Sequence, residues 1–228
     1  MGYSRFSALP ATGIVRTGVE RATLIRRTYS LVFVSVVMTM VGAWFGLTNV
    51  SVMQSVAAHP WITALLWFAP LFLAQRVRTA PVSQLGLVLL FAVMGGVMMS
   101  PLIFMYERVQ PGIATQAGVL TLSSFGVLTA YAFVSRRDFS AWGSFFTVGL
   151  WVLIATSLLN LFLRNQTANL WIAGATVLVF SGLLVFDTWR IRNVYGPDDY
   201  VPAAVAIYLD LLNMFLAILQ LLGGGRRN

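Results

Sequence analysis

The chain has 228 residues, 58% of them hydrophobic and only 10% charged, with a mean hydropathy of +0.81. Soluble domains carry about 25% charged residues, so a water-solvated fold is excluded and the expected class is an all-α integral membrane protein. The lack of Cys rules out disulfides, thiolate metal sites and thiol catalysis. The net charge of +8 does not point to nucleic acid, because the fifteen cations, all arginine, stand mostly in the gaps between apolar runs.

Residues 1–28 form a basic stretch holding Arg5, Arg16, Arg21, Arg26 and Arg27. It is too long and too charged for a signal peptide and reads as a cytoplasmic tail. A spanning helix needs about 20 mostly apolar residues. Seven runs meet or approach that length, at about 29–48, 61–75, 83–104, 113–134, 141–163, 169–190 and 202–222. They predict one seven-helix transmembrane domain over 29–222, closed by a short tail over 223–228. Gly42 and Gly46 in the first run have the GxxxG spacing that lets backbones approach in lipid. His59, before Pro60, marks a helix boundary and receives no role. Pro70 in the second run, and Gly95, Gly96 and Pro101 in the third, predict bends.

Orientation follows from arginine placement. With the N-terminus inside, the cytoplasmic side holds the five tail arginines with Arg76, Arg78, Arg136, Arg137, Arg190 and Arg192. The other side holds Arg108 and Arg164, and Arg226 and Arg227 if the last run crosses fully rather than re-entering. Eleven against four is a positive-inside signal. An arginine-only cation set with abundant Ala, Gly and Val fits a GC-rich prokaryote, hence a bacterial inner membrane.

In the last run Ala203, Ala206, Asp210, Asn213, Ala217 and Gln220 recur at spacings of three and four. Leu209, Leu211, Leu212, Phe215, Leu216 and Leu219 fill the other faces. A small and polar stripe in lipid must face protein or water, since an unsatisfied polar group in hydrocarbon costs several kcal/mol. The last helix is therefore expected at the bundle centre. A plain packing seam accounts for the alanines but not for the carboxylate.

Of seven acidic residues, Glu20, Glu107, Asp138, Asp198 and Asp199 lie in tails or loops, while Asp187 and Asp210 lie within apolar runs. An ionisable group there costs about 2.5–3.5 kcal/mol on insertion scales and marks function by default. Arg190 follows Asp187 by three residues, putting that carboxylate about 5 Å from the cytoplasmic end of its helix. Asp210 lies about 12 Å below the same surface. The turn Tyr195-Gly196-Pro197-Asp198-Asp199 joins the two helices, so the carboxylates can meet, with Arg76 at the end of the second run as the cationic partner. Two close carboxylates cannot both ionise cheaply and titrate as a unit. Such a group makes a pH-dependent latch, or a purely structural network pinning three helices.

Ala206-Ile207-Tyr208-Leu209-Asp210-Leu211-Leu212-Asn213-Met214-Phe215 resembles the last-helix signature of the transmembrane Bax inhibitor motif family. Phe186-Asp187-Thr188 resembles that family's matching aspartate, and Arg136-Arg137-Asp138-Phe139-Ser140 its basic loop. The resemblance runs from about residue 26 to 222. It implies a last helix wrapped by the other six and a pH-sensitive calcium leak controlled by a di-aspartyl pair, here Asp187 and Asp210. It also implies a latching arginine on the second span, matched in order by Arg76, with Arg78 as the alternative. No acidic residue stands within the second span, where some members of the family have one.

The reading is a passive calcium leak, not an enzyme, with Asp187 and Asp210 as ion-binding and pH-sensing groups and Asn213 in support. Calcium takes six to eight oxygens, so these three side chains make only a weak site completed by water. No Gly-rich phosphate loop is present, which argues against nucleotide use. The alternative is a regulator that binds a membrane protease or a cell-death partner, with the basic tail for docking. An intramembrane aspartyl protease is disfavoured, since Tyr208-Leu209-Asp210 stands where those enzymes carry Gly-x-Gly-Asp. The expected partners are the lipid bilayer, calcium ions and a membrane protein.

Overall fold

The computed structural model describes residues 18–76 and 81–224. These form eight helices and no strand: α1 (Gly18–Thr48), α2 (Val50–Ala58), α3 (Pro60–Arg76), α4 (Pro81–Val109), α5 (Ile113–Val134), α6 (Trp142–Leu163), α7 (Gln166–Asn193) and α8 (Tyr200–Gly224). Six of them (α1, α4, α5, α6, α7 and α8) are long and apolar enough to cross a membrane, and α2 with α3 makes a pair bent by 103°.

The first expected span is longer than its apolar run. α1 begins at Gly18 and carries Glu20 in its first turn, where a carboxylate complements the positive end of the helix dipole. The short helix α2 has no counterpart among the seven expected runs. It stops because His59 precedes Pro60, and the proline ring excludes the residue before it from helical geometry. His59 accordingly sits at φ −126°, ψ 57°. Pro70, by contrast, is carried inside α3.

Pro101 lies within a continuous α4. A proline there withholds the amide that would bond the carbonyl of Val97. The Ser100 hydroxyl donates to that carbonyl instead, at 2.7 Å, so the freed backbone group is satisfied inside the membrane.

The small residues of α1 and α4 make one seam. A Cβ on Gly42 would strike the backbone of Val93, one on Gly96 the backbone of Thr39 and Ala43, and one on Gly46 the Ser100 side chain. The GxxxG of α1 is thus used within the chain, drawing two parallel helices into backbone contact. Trp67 of α3 stacks on Phe91 of α4 at 5.2 Å and donates its indole N–H to the Phe91 carbonyl, which seats the bent pair on α4.

α8 is the most buried long helix, half of its apolar window being covered. It packs against α1, α4, α5 and α7, while α6 packs on α7 alone. Ala203, Asp210 and Ala217 of the small and polar stripe are buried, but so are Leu211, Leu212 and Leu219. The helix is covered on more than the predicted side.

Contacts fix which ends lie together. Arg27 lies over the Tyr200 ring, and Arg192 at the end of α7 donates to the carbonyls of Ala132, Phe133 and Ser135 at 2.8, 2.9 and 3.1 Å. The first two of these bonds satisfy open carbonyls in the last turn of α5 with a cation, as the helix dipole favours. The starts of α1 and α8 and the ends of α5 and α7 therefore share one face, called here the aspartate end. At the opposite end a Cβ on Gly223 would meet Tyr106 and one on Gly224 would meet Leu170.

Candidate functional site: a buried carboxylate pair beneath the α7–α8 turn

The turn between α7 and α8 is built by its own polar atoms. Val194 and Tyr195 donate their amides to the Arg190 carbonyl, and the Gly196 amide donates to Asp199 Oδ2 at 2.7 Å. Asp199 is thereby committed to the turn. This tight closure holds the end of α7 against the start of α8 and brings the two intramembrane aspartates near each other.

Asp187 is 7% exposed and Asp210 4%. Asp187 Oδ1 accepts a charge-assisted hydrogen bond from Arg190 Nη1 at 3.0 Å, three residues along the same helix. The Arg190 guanidinium lies 4.7 Å from the Tyr195 ring centroid and 5.7 Å from that of Phe186, so it is held between two aromatic rings. Next to Asp187, the fully buried Thr188 pairs its hydroxyl with that of Tyr29 on α1 at 3.2 Å.

Asp210 Oδ2 is buried and has no hydrogen-bond partner. Asp210 and Asp187 lie within electrostatic reach of each other, and both act on Tyr195 in the turn above them. Burial pushes the Tyr195 hydroxyl up from its ordinary value; Arg190 opposes this, and Asp187, Asp199 and Asp210 add to it. Buried carboxylates are normally paired and saturated with donors. Asp187 is paired with a cation through Oδ1, and Asp210 keeps an open acceptor oxygen.

The expected site residues are thus partly assembled. Asp187 and Asp210 lie within electrostatic reach of each other, and Asp210 Oδ2 makes no hydrogen bond. The cation on Asp187 is Arg190 rather than Arg76, which is exposed at the end of α3; Arg78 lies outside the described residues. Asn213 donates its Nδ2 to the Leu209 carbonyl at 2.8 Å, back-bonding one turn along its own helix. Among the described residues no cluster of three His, Asp or Glu gathers to hold a metal. Sequence reasoning missed Arg190 as the partner, although its i,i+3 spacing from Asp187 is one at which opposite charges on a helix meet. It also missed Tyr195 and Tyr29, which no charge pattern marks.

The basic loop proves to be an anchor. Phe139 is 1% exposed and meets Trp142 edge-on at 5.1 Å. Asp138 accepts the Ser140 amide at 2.8 Å, closing a local turn.

Fold and site together define a polytopic helical membrane protein with a carboxylate pair buried near one end. A family model described as "Inhibitor of apoptosis-promoting Bax1" matches residues 21–228, and the chain belongs to that family. It is 31% identical over 206 residues to an uncharacterised protein of Helicobacter pylori, covering 90% of this chain and 87% of that one. It is 35% identical over 173 residues to the "Bax inhibitor 1" of Schizosaccharomyces pombe, covering 74% and 64%. A "Golgi anti-apoptotic protein" of Vaccinia virus is 40% identical over 110 residues, 48% of this chain and 46% of the viral one.

Proposed function

We propose that the protein is a passive, pH-sensitive calcium leak of a bacterial inner membrane, not an enzyme, with the aspartate end cytoplasmic. Seven crossings, with α2 and α3 together forming one of them, set the helices around α8. The observation that carries the reading is the buried, unpartnered Asp210 Oδ2 beside the Asp187–Arg190 pair. A carboxylate is expensive inside a membrane, and an open acceptor on it can take a proton or a cation. The ion pair fixes one carboxylate, and protonation or cation binding at the pair releases Arg190 from Asp187 at the base of the α7–α8 turn. Arg76 is a second latch candidate, for a state in which α3 closes on α7. A calcium ion here draws most of its six to eight oxygens from water, as suits a leak.

The experiment is calcium uptake by proteoliposomes. Asp187→Asn frees Arg190 and raises resting uptake, while Asp210→Asn removes the open acceptor and lowers uptake or abolishes its pH response. If both variants fold and behave like wild type, the pair is structural.

A second reading is a regulator that works by binding, supported by the anti-apoptotic name of the viral relative and by the basic N-terminal stretch. Deleting residues 1–19 separates the two. Loss of a cellular phenotype with calcium uptake intact favours the regulator.

A further inference from the structure

The backbones of α1 and α5 do not pack against each other. At the aspartate end Tyr29 fills the gap between them, its ring centroid 6.1 Å from that of Phe125 and 6.0 Å from that of Phe133. Toward the far end the gap is open. A cavity of about 490 Å³ lies there, bounded by α1, α4, α5 and α8, with Val36, Leu47, Met99, Gly118, Leu122 and Phe215 among its walls. That volume is in the ordinary range of ligand pockets.

Its lining is almost wholly apolar, and the hydroxyls of Thr39, Thr121 and Tyr208 are already used within the protein. Thr39 donates to the Ser35 carbonyl at 2.9 Å and accepts from the Tyr208 hydroxyl at 2.7 Å, and Thr121 donates to the Ala117 carbonyl at 2.7 Å. A buried water needs two to four polar partners, more than the Thr115 hydroxyl and the Trp44 indole N–H supply for a continuous file of water. It is open sideways to the bilayer, with Met40, Trp44, Val119 and Leu122 all about half exposed or more.

Length identifies the occupant. From Val36 to Leu47 the groove follows α1 for eleven residues, about 16 Å, against about 15 Å for one leaflet of the hydrocarbon core. At the far end Glu107 accepts the amide of Ala114, a wall residue, at 2.9 Å. The neighbouring Arg108 is exposed, and its guanidinium lies over the Phe104 ring at 4.6 Å, outside the groove's walls. We propose that this groove seats one acyl chain of a phospholipid from the leaflet remote from the aspartates. The chain ends against Tyr208, on the helix that carries Asp210. The proposal does not depend on the calcium reading.

The test uses full-length protein in liposomes containing a phosphatidylglycerol whose acyl chain bears a diazirine, with adducts mapped by peptide mass spectrometry. Labelling should be several-fold enriched on the groove-facing residues of α1 and α5 over the exposed apolar residues of α6. Gly118→Trp should remove the enrichment, since a Cβ at Gly118 meets open space and the larger ring fills the groove. Gly118→Leu is the milder variant if the indole prevents folding. Gly126→Trp, also in open space on α5 but outside the groove, should keep it. Even labelling of all lipid-facing helices overturns the proposal, as does enrichment that survives both Gly118 variants. Groove labelling below that of α6 overturns it too, and indicates that another copy of the chain fills the gap.

Discussion

Replacing Arg190 with Gln removes the cation from Asp187 while leaving a side chain of similar length. Breaking a buried ion pair from one side costs about 3–5 kcal/mol, whereas an exposed pair is worth at most about 1 kcal/mol. Arg190 is 35% exposed in its side chain and Asp187 10%, so water screens one partner, and a loss of about 2 kcal/mol lies between those limits. At about 1.4 kcal/mol per decade, a closed state favoured by roughly 99 to 1 falls to roughly 3 to 1. Full inversion needs about 5.5 kcal/mol, so a leak gated by this pair should open only in part. Resting calcium entry into dye-loaded proteoliposomes should rise by some twentyfold. Wild-type entry in Arg190→Gln together with raised entry in Arg76→Ala would move the latch to the end of α3 and refute the reasoning. No change in either variant returns the pair to a structural role.

Gly96→Ala drives a methyl into the α1 backbone, which cannot rotate away as a side chain does. Thermal unfolding in detergent should show a loss at or above the roughly 1–3 kcal/mol typical of overpacking, while Gly86→Ala, whose methyl meets nothing, leaves stability unchanged or higher. Because the Tyr195 hydroxyl is held above its ordinary value, mainly by burial, its neutral form is favoured in the fold. That contribution is fully present below about pH 10 and is lost as pH rises through the folded value. Tyr195→Phe should therefore soften the alkaline decline in melting temperature, and an unchanged alkaline profile would contradict the placement of the ring. Since the native chain has no Cys, a Cys placed at Arg137 should react with an impermeant thiol reagent only from the cytoplasmic side, and labelling from outside would invert the topology.

Much of the architecture was legible because lipid leaves few options. Apolar runs of spanning length must become helices, and five of the seven expected runs coincide with single long helices. The exceptions are physical. α1 continues through charged residues because helical hydrogen bonding does not stop at the membrane surface, and α2 exists because the His59–Pro60 pair breaks what composition alone joins. The carboxylates were legible from their cost in hydrocarbon. Their surroundings were less so. Asn213 shares a face with Asp210 by spacing, yet the nearest acceptor for its amide is the Leu209 carbonyl of its own helix. Arg190 was counted as a topological charge, although its reach to Asp187 and its place between Phe186 and Tyr195 make it part of the site. The open groove between α1 and α5 left no trace in the sequence, because it arises from where Tyr29 stops filling the space between helices.

Calcium flux through purified wild-type protein in liposomes, followed from mildly acidic to neutral pH beside empty vesicles and the Asp210→Asn variant, tests the central claim most directly. The carboxylate pair predicts a protein-dependent leak whose rate changes with pH and whose pH response disappears in Asp210→Asn. Flux equal to that of empty vesicles at every pH, or a pH response that persists unchanged in the variant, would contradict it.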